Sequence, residues 1–536
     1  MKLQKCFFGG FVALLLCGCA IDNSGNSNNN NNDSDNENEA VGTFVYNNNG
    51  EISFTDKEYE SDKSSLISDN KVTIVFNGME EPTITGECAD ITIKKDSLRG
   101  DGKTYLIINS SAKNAEYEVS GSCDDGALLI FSEKKFKLTL NNLSLKSNNW
   151  PAINIQTGKR CFVVLQGENS LAGAGVMQPG ENLLNPEYVE GVSAQKDKYL
   201  DCKATLFSEG ELIFSGNGEL KVTGNAKHAI CSDDYVRVLN GKLTVLGAPS
   251  DGIHANDSVF INGGTINITS NANGIQCEKG FVYINGGTTN ITSGKTGIIA
   301  DYKDFSEKSS LLEQPFVLIE KGTVEIKTSE LKGHGIESGS HLLITGGEVT
   351  IATKGNSAKG LKSGTNKDST VKGDIVIAKT AKVNITVSGS SNAAVAVKSE
   401  AGIYLRGGLL EAVADGSGGM GLSASENVVI SGGDNKVYAV GYFLNTTEAT
   451  INAGAKLLGV GSKCGVSKFK DCTQKYMIGE IDSEIAAGKQ YEVDGVTDEF
   501  VTNLTPLTML FTKNGLSDKV SIKIDGTDWS KDFELK

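Results

Sequence analysis

The sequence is poor in the residues that mark several common kinds of site. Only two tryptophans, Trp150 and Trp529, occur among 536 residues, so a tryptophan platform for sugar stacking is not expected. The cysteines lack the paired CxxC spacing of a zinc site. Acidic residues outnumber basic ones, 66 to 51, for a formal net charge of −15. A chain this acidic is a poor partner for nucleic acid, and it repels an anionic polysaccharide unless a divalent cation stands between them.

The amino terminus carries the one apolar run that resembles a targeting signal, and no second transmembrane segment is evident. Lys2 and Lys5 precede apolar residues 7–16, and the motif Leu16-Cys17-Gly18-Cys19 follows, which looks like a bacterial lipobox. We predict a signal peptide at residues 1–18, whose removal takes the net charge from −15 to −17, and lipidation of Cys19. An ordinary secretory signal or an uncleaved anchor is the alternative, but the run is short for a bilayer span.

Residues 19–40 are rich in Asn, Ser, Asp and Gly and have almost nothing apolar to bury, which predicts a disordered tether. The expected location is the bacterial cell envelope, lipid-anchored at the outer membrane or cell surface.

A repeat of about 23 residues dominates the middle of the chain. SDGIHANDSVFINGGTINITSNA begins at Ser250 and NGIQCEKGFVYINGGTTNITSGK at Asn273. Apolar residues alternate with outward positions on either side of a Gly-Gly turn, which is the period of a β-strand. A unit this short has no room for a helix and must stack on its neighbours, so the repeat predicts an all-β, parallel β-helix.

The rungs delimit the expected regions. Each repeat, here called a rung, has an isoleucine at one of its turns. The spacing between these turn isoleucines lengthens to 38 residues after Ile298, which predicts an inserted loop from Tyr302 to Pro315. We predict an N-terminal β region at 41–114, the β-helix at 115–460, and a C-terminal cap or small β domain at 461–536, because an uncovered end rung invites edge pairing. The protein is expected to be a monomer.

Apart from the signal and the lipidated Cys19, eight cysteines remain, and an even set in an exported protein permits disulfides. Cys464 with Cys472 could close a small loop, and Cys161 with Cys202 could staple the base of the polar excursion at 166–200. Cys231 and Cys277 are expected to be buried thiols.

The segment FSEGELIFSGNGELKVTGNAKHAICSDDYVRVLNGKLTVLGAPSDGIHANDSVFINGGTINITS, from Phe207 to Ser270, resembles a family of carbohydrate-binding β-helix domains described from cellulose-degrading clostridia. The KHAICSDD and SDGIHANDS parts carry most of the resemblance. Membership implies a right-handed, pectate-lyase-like parallel β-helix, bound calcium, and binding to plant cell-wall polysaccharide such as cellulose or polygalacturonate. Ala229 stands where the family commonly has Gly, and Asn273 where an Asp often recurs.

Aligning the rungs on the turn isoleucine places acidic and amide side chains in columns. Carboxylates on stacked strands, about 4.8 Å apart, repel unless a cation bridges them, and such oxygen ligands suit calcium. The alternative is that they are ordinary polar turn residues facing water. The candidate metal ligands are Asp233, Asp234, Asp251, Asn256, Asp257, Glu278 and Asp301.

A second column is apolar although it points outward. Sugars stack on flat apolar surfaces, so Phe260, Tyr283 and Tyr404 are candidate carbohydrate-binding residues. The alternative is that the loop at 302–315 or the tail beyond 461 covers the column. The four histidines are interpreted as solvated turn residues, with His228 and His254 the ones that could line a ligand site. The complete outward apolar column consists of Phe260, Tyr283, Leu318, Leu343, Val376, Tyr404 and Val429.

Three classes of function fit these observations. The favoured one is a surface-tethered protein that binds plant cell-wall polysaccharide. The first alternative is a calcium-dependent pectate-type lyase, in which a basic residue abstracts a proton and turn residues such as Lys227, Lys359 and Lys362 are available. No motif singles out one of these lysines, so no catalytic residue is assigned. The second alternative is an adhesin or structural spacer with no soluble glycan ligand.

Overall fold

The computed structural model describes residues 42–47, 51–63, 68–96, 103–148, 150–173, 183–185, 199–301, 315–364, 372–390, 393–500 and 503–536. The predicted signal, lipidated Cys19, the tether and most of the loop at 302–315 lie outside these residues. Strands account for nearly all the regular structure. No helix among the described residues is both long enough and apolar enough to cross a membrane.

The central part of the chain is a parallel solenoid. Each coil places its strands directly on those of the coil before, as where Ile253 pairs with Ile275 and Ile275 with Ile298. Three strand columns result, here called the first, second and third faces. The all-β parallel solenoid predicted from the repeat is therefore confirmed.

The first face consists of Tyr105–Ser110, Ala127–Ser132, Ile153–Ile155, Ala204–Ser208, His228–Ser232, Ile253–Ala255, Ile275–Cys277, Ile298–Ala300, Ile336–Ser338, Lys359–Ser363, Val395–Ser399 and Met420–Ala424. The second face contains Cys161–Gln166, Leu212–Gly216, Val236–Val238, Ser258–Ile261, Leu342–Ile344 and Ile375–Ile377. The third face contains Glu168–Ala172, Glu219–Thr223, Lys242–Gly247, Thr265–Ser270, Glu348–Thr353 and Lys382–Val387. Longer strands continue from the second face onto the third: Ala115–Cys123, Phe136–Lys146, Phe281–Ser293, Val317–Thr328, Ile403–Ala414 and Asn427–Ile451.

Stacked aliphatic side chains fill the interior. Ile253, Ile275 and Ile298 occupy equivalent inward positions in successive coils and are fully buried. The turn between the second and third faces needs glycine. Gly287 has φ +71°, and a Cβ there would lie 2.7 Å from the backbone of Gly263 in the preceding coil. The Gly-Gly motif of the repeat thus serves both chain reversal and close stacking.

Parallel pairing begins earlier in the chain than the predicted boundary at residue 115. Asn70–Asn77 already pairs in parallel with Ala115–Cys123. Two antiparallel additions flank this end: Glu80–Thr85 pairs with Asn70–Asn77, and Ile91–Lys95 with Tyr105–Ser110.

A hairpin and a short helix cross the outside of the second face, and we call them the strap. The hairpin pairs Gly42–Tyr46 with Ile52–Asp56, and the helix is Tyr59–Lys63. Phe44 stacks on Phe316 at 4.0 Å between ring centroids, and Phe54 lies 4.7 Å from the ring of Tyr283. The strap therefore covers the apolar column of the second face.

The last coil pairs with a C-terminal antiparallel unit. Lys456–Phe469 pairs in parallel with Asn427–Ile451 and antiparallel with Leu507–Thr512, so the parallel ladder ends here. The unit has its own apolar core, which includes Tyr491, Met509 and Ile522. Its remaining elements are Met477–Ile481, Gln490–Val493, Val496–Glu499, Ile522–Ile524, Thr527–Asp528, Phe533–Leu535 and the 3-10 turn Ser530–Asp532. In the polar excursion at 166–200, Leu183–Leu184 pairs antiparallel with Tyr199–Leu200.

The two possible disulfides are not formed, since the cysteines in the described ranges are free thiols. Cys161 points into the solenoid core, whereas Cys202 packs outside the first face with Ile107 and Leu129, so the wall of the coil separates them. The Sγ of Cys472 lies 3.4 Å from the backbone nitrogen of Ile451 in the adjacent coil rather than bonding to Cys464. Cys231 and Cys277 are buried thiols, as predicted.

Candidate functional site

The outer side of the first face carries most of the polar residues singled out in the sequence. Asp233, Asn256, Glu278 and Asp301 each follow directly on a first-face strand end, and these ends are paired in register. Their backbone N–H groups donate to carbonyls of the preceding coil at 2.9–3.1 Å. The structure therefore brings the four residues into one column, at the spacing of stacked strands.

A lysine already neutralises one end of this acidic column. Lys203 Nζ lies 2.9 Å from both carboxylate oxygens of Asp233 and 2.7 Å from Asp201. Glu209 completes a group of three carboxylates whose oxygens lie within 4.8 Å of one another. Lys203 is half-buried; burial lowers its pKa, but Asp201 and Asp233 outweigh that effect and hold the pKa above the usual range. Asp233 thus has a protein cation as its partner.

The neighbouring column holds carboxylates that repel one another. Asp234 and Asp257 occupy equivalent positions in successive coils, where the Asp257 N–H donates to the Asp234 carbonyl at 3.1 Å. Burial, followed by the charges of Glu211 and Asp257, raises the pKa of the Asp234 carboxyl. Two crowded carboxylates next to a third are the arrangement that a hard cation such as Ca²⁺ relieves. These residues are the ones that could hold the predicted calcium.

Asp251 belongs to neither column. Its Oδ2 lies 3.1 Å from Nδ1 of both His228 and His254, and its Oδ1 accepts the Asn273 N–H at 3.0 Å. Burial alone would raise the pKa of Asp251, but the two histidines hold it well below its usual range. The histidines are 2% and 4% exposed, so the interpretation of them as solvated turn residues is wrong. The coils stacked on either side of His228 and His254 exclude water from both side chains.

A basic patch lies further along the same face, and we define it as Lys332, Lys359, Lys362 and Lys398. Lys362 and Lys398 pair directly in adjacent coils, next to Glu337, whose Oε1 lies 2.8 Å from Lys362 Nζ. Burial, and then Lys362, lowers the pKa of Lys359. The sequence showed these lysines but not their juxtaposition, because the loop at 302–315 and the irregular coils after it obscure the register.

The same patch acts on a buried histidine. The Lys359 N–H donates to His334 Nδ1 at 3.0 Å. Burial, followed by Lys362 and Lys359, lowers the pKa of His334 to about 3. The imidazole is therefore neutral at physiological pH, and the patch keeps an excess of positive charge in a strongly acidic chain.

The aromatic platform predicted on the second face is not available to sugar. Phe260 is 0% exposed and Tyr283 3% exposed, because the strap lies over both. Among the described residues the covering element is thus the strap, and not the tail beyond 461; residues 302–314 of the loop lie outside the described ranges. Tyr404 is half-buried, with the Arg406 guanidinium 4.8 Å above its ring. Phe260 and Tyr283 belong to the second face and are buried beneath the strap, so their assignment to carbohydrate binding is wrong.

A family model described as "Carbohydrate-binding domain-containing protein" matches residues 101–308. No curated protein matches the sequence. A polysaccharide lyase-like protein from C. thermocellum, solved as a gadolinium derivative, is similar in structure at a TM-score of 0.39 and 20% identity, over 59% of this chain and 100% of that one. A likeness at this level leaves function open. The resemblance noted between Phe207 and Ser270 is nevertheless confirmed by the family match: this part of the chain matches a family of carbohydrate-binding domains.

Proposed function

We propose that this protein is a lipid-anchored envelope protein that binds plant cell-wall polysaccharide, cellulose or polygalacturonate-like, on the first face of its solenoid. The observation that carries the proposal is that the matched range, 101–308, contains every coil that bears the two acidic columns. Right-handed coiling, calcium and the lipid on Cys19 belong to this proposal. The lipobox pattern and the family resemblance support them.

The first face is the best candidate because the other two are less suited to an extended glycan. The strap occupies the second face. The third face presents short polar side chains, such as Asn267 bonded to Asn290 at 2.9 Å, and its charged residues Glu168, Glu219, Lys221 and Lys242 are ion-paired with one another. The first face offers carboxylates at one end and the basic patch at the other, which are the two means of holding a polymer of sugar acids.

Calcium would act at Asp234 and Asp257, with Glu278 and Asp301 in the adjacent column. When bound, Ca²⁺ supplies a positive centre that can accept further oxygen ligands from a glycan. The backbone holds these residues at equivalent positions of successive coils, so that their carboxyl groups belong to two neighbouring columns. At the far end, Lys359 and Lys362 attract uronate carboxylates directly, without a metal.

The test is retention of the purified protein on insoluble cellulose and on immobilised polygalacturonate, with Ca²⁺ and then with EDTA. We expect calcium-dependent retention on polygalacturonate. The double variant Lys359→Gln/Lys362→Gln should lose retention on polygalacturonate and keep any retention on cellulose, which is neutral. Lys382→Gln, on the exposed third face, is the matched control. Absence of retention on either polymer would leave the adhesin or spacer class.

A lyase is the second candidate, and the lowered pKa of Lys359 favours it. A neutral lysine amine can take the proton from the sugar carbon next to a uronate carboxylate; the C–H electron pair then forms a carbon–carbon double bond as the neighbouring C–O bond breaks, and the departing glycosidic oxygen takes a proton from water. The same incubations should then show ultraviolet absorbance that grows with time and disappears in Lys359→Met. Retention without absorbance would exclude this candidate for the polymers tried.

A further inference from the structure

Three side chains from adjacent coils meet beside the acidic columns. His228 comes from one coil, and Asp251 and His254 from the next. Nδ1 of each histidine lies 3.1 Å from the same oxygen of Asp251, and all three ligand atoms lie within 4.8 Å of one another. The three residues are buried. We propose that His228, Asp251 and His254 bind a divalent transition metal ion such as Zn²⁺, at a site separate from any calcium site.

The spacing of the donor atoms fits a small ion. Ligands held 2.0–2.2 Å from zinc in a tetrahedron are about 3.4 Å from one another, and in an octahedral arrangement neighbouring ligands are about 3.0 Å apart. The observed separation of 3.1 Å between each nitrogen and Asp251 Oδ2 lies in this range. Two imidazoles and one carboxylate suit borderline metals, whereas calcium prefers oxygen ligands throughout.

The surroundings of His254 call for a positive centre. Its Nδ1 faces Asp251, and its Nε2 lies 3.5 Å from Glu278 Oε1. A neutral imidazole has one N–H, so without a further cation one carboxylate faces a nitrogen lone pair. A metal on Nδ1 leaves the Nε2 proton to point at Glu278, and this carboxylate–histidine–metal arrangement is common around bound metals.

A hydrogen bond from a residue outside the cluster fixes the carboxylate of Asp251. Asp251 Oδ1 accepts the backbone N–H of Asn273 at 3.0 Å, which leaves Oδ2 for the ion. His228 Nε2 has no hydrogen-bond partner and borders a small pocket lined by Lys227, Cys202 and Thr205. With Nδ1 on the ion, Nε2 can carry the ring proton and donate it to a water in that pocket. The two imidazole rings stack at 4.2 Å with planes 28° apart, so binding requires each ring to tilt toward the ion.

The experiment uses the full chain without an affinity tag, titrated with Zn²⁺ by calorimetry and with Co²⁺ by visible absorbance. Calcium is present in large excess in a parallel titration. We expect one high-affinity zinc equivalent, cobalt absorbance bands typical of nitrogen ligands, and no displacement by calcium. His254→Asn should weaken zinc binding at least tenfold, and Glu278→Gln, which removes only the outer carboxylate charge, about 10- to 100-fold.

His334→Asn is the matched control, because it removes another buried histidine outside the cluster and should leave zinc affinity unchanged. Circular dichroism shows that each variant is folded. The proposal is overturned if the folded parent takes up no zinc or cobalt, if calcium displaces the ion, or if His254→Asn binds as tightly as the parent. Polysaccharide retention is measured separately and has no bearing on this outcome.

Discussion

Arg237 holds the strap to the solenoid, and replacing it with methionine should release the strap without unfolding the coils. The Arg237 guanidinium makes two hydrogen bonds to Asp56, at 2.6 and 3.0 Å, and its Nε lies 2.5 Å from Asp62. The Arg237 side chain is fully buried, and so is that of Asp62. Arg160, two coils earlier than Arg237, lies 3.1 Å from Asp62 and remains in the variant.

The size of the effect follows from burial. Removing one partner of a buried ion pair costs about 3–5 kcal/mol, because the remaining charge stays buried and uncompensated. The loss acts on strap docking, since Asp56 and Asp62 lie in the strap and Arg237 on the coil. The equilibrium for strap opening should therefore shift by roughly a hundredfold to a few thousandfold.

Hydrogen exchange and limited proteolysis, both read by mass spectrometry, measure that opening. Strap peptides should exchange and be cleaved faster by the stated factor, since cleavage tracks the population of the open form when opening is rapid. Peptides from the first-face strands should keep the parent's protection. Release also uncovers Phe260 and Tyr283, so binding of a hydrophobic dye should rise.

Lys327→Met is the control, because Lys327 pairs with Glu325 on an exposed part of the third face and should change stability by less than about 0.5 kcal/mol. If Arg237→Met leaves strap exchange within threefold of the parent, the buried pairs do not hold the strap. Equal loss of protection throughout the coils would show that the strap is not a separable unit.

Three further predictions follow from buried or crowded positions. The free energy of unfolding should fall as pH drops from about 6.5 toward 3, because His334 takes up a proton in the unfolded chain but not in the folded protein, where its pKa is lowered to about 3. Denaturant titrations of His334→Asn should show a smaller fall in the free energy of unfolding over the same pH range. Calcium binding should release protons and strengthen as pH rises, because the raised pKa of Asp234 makes the ion compete with a proton. Calorimetry in buffers of different ionisation enthalpy measures the number of protons released. If no proton is released, calcium binds elsewhere. Gly280→Ala should lower the melting temperature by an amount equivalent to about 1–3 kcal/mol, since its Cβ would lie 1.6 Å from the Asp257 carbonyl oxygen, whereas Gly158→Ala, with open space around it, should not.

The repeat made the coil register predictable. The regular recurrence of Ile230, Ile253 and Ile275 indicates which residues stack, and the column of Asp233, Asn256 and Glu278, each three residues after its isoleucine, follows from it. Local periodicity contains this information because each coil contacts only its neighbours.

The strap could not be predicted in the same way. Residues 42–56 look like any short pair of strands, and their partners lie more than 170 residues away. One feature of the sequence does indicate a covering element. Arg237 occupies the same outward column as Phe260 and Tyr283, which is otherwise apolar. A charged side chain buried in such a column needs an acidic partner from another part of the chain. The burial of His228 and His254 was hidden for a related reason, because it depends on how two coils enclose side chains that each coil alone would expose.

The strap also determines how a mechanical load would enter the molecule. It reaches from Arg237 to Asp374, which accepts a hydrogen bond from the Tyr46 hydroxyl at 2.7 Å. A pull on the chain before Gly42 is therefore received by the hairpin and spread sideways over several middle coils. The first coils, which begin at Asn70, are not peeled from their free edge. If the proposed lipid on Cys19 holds the chain at a membrane, the load enters through the side of the solenoid, and the ion pairs of Arg237 and Arg160 break before the parallel strand pairing is stressed.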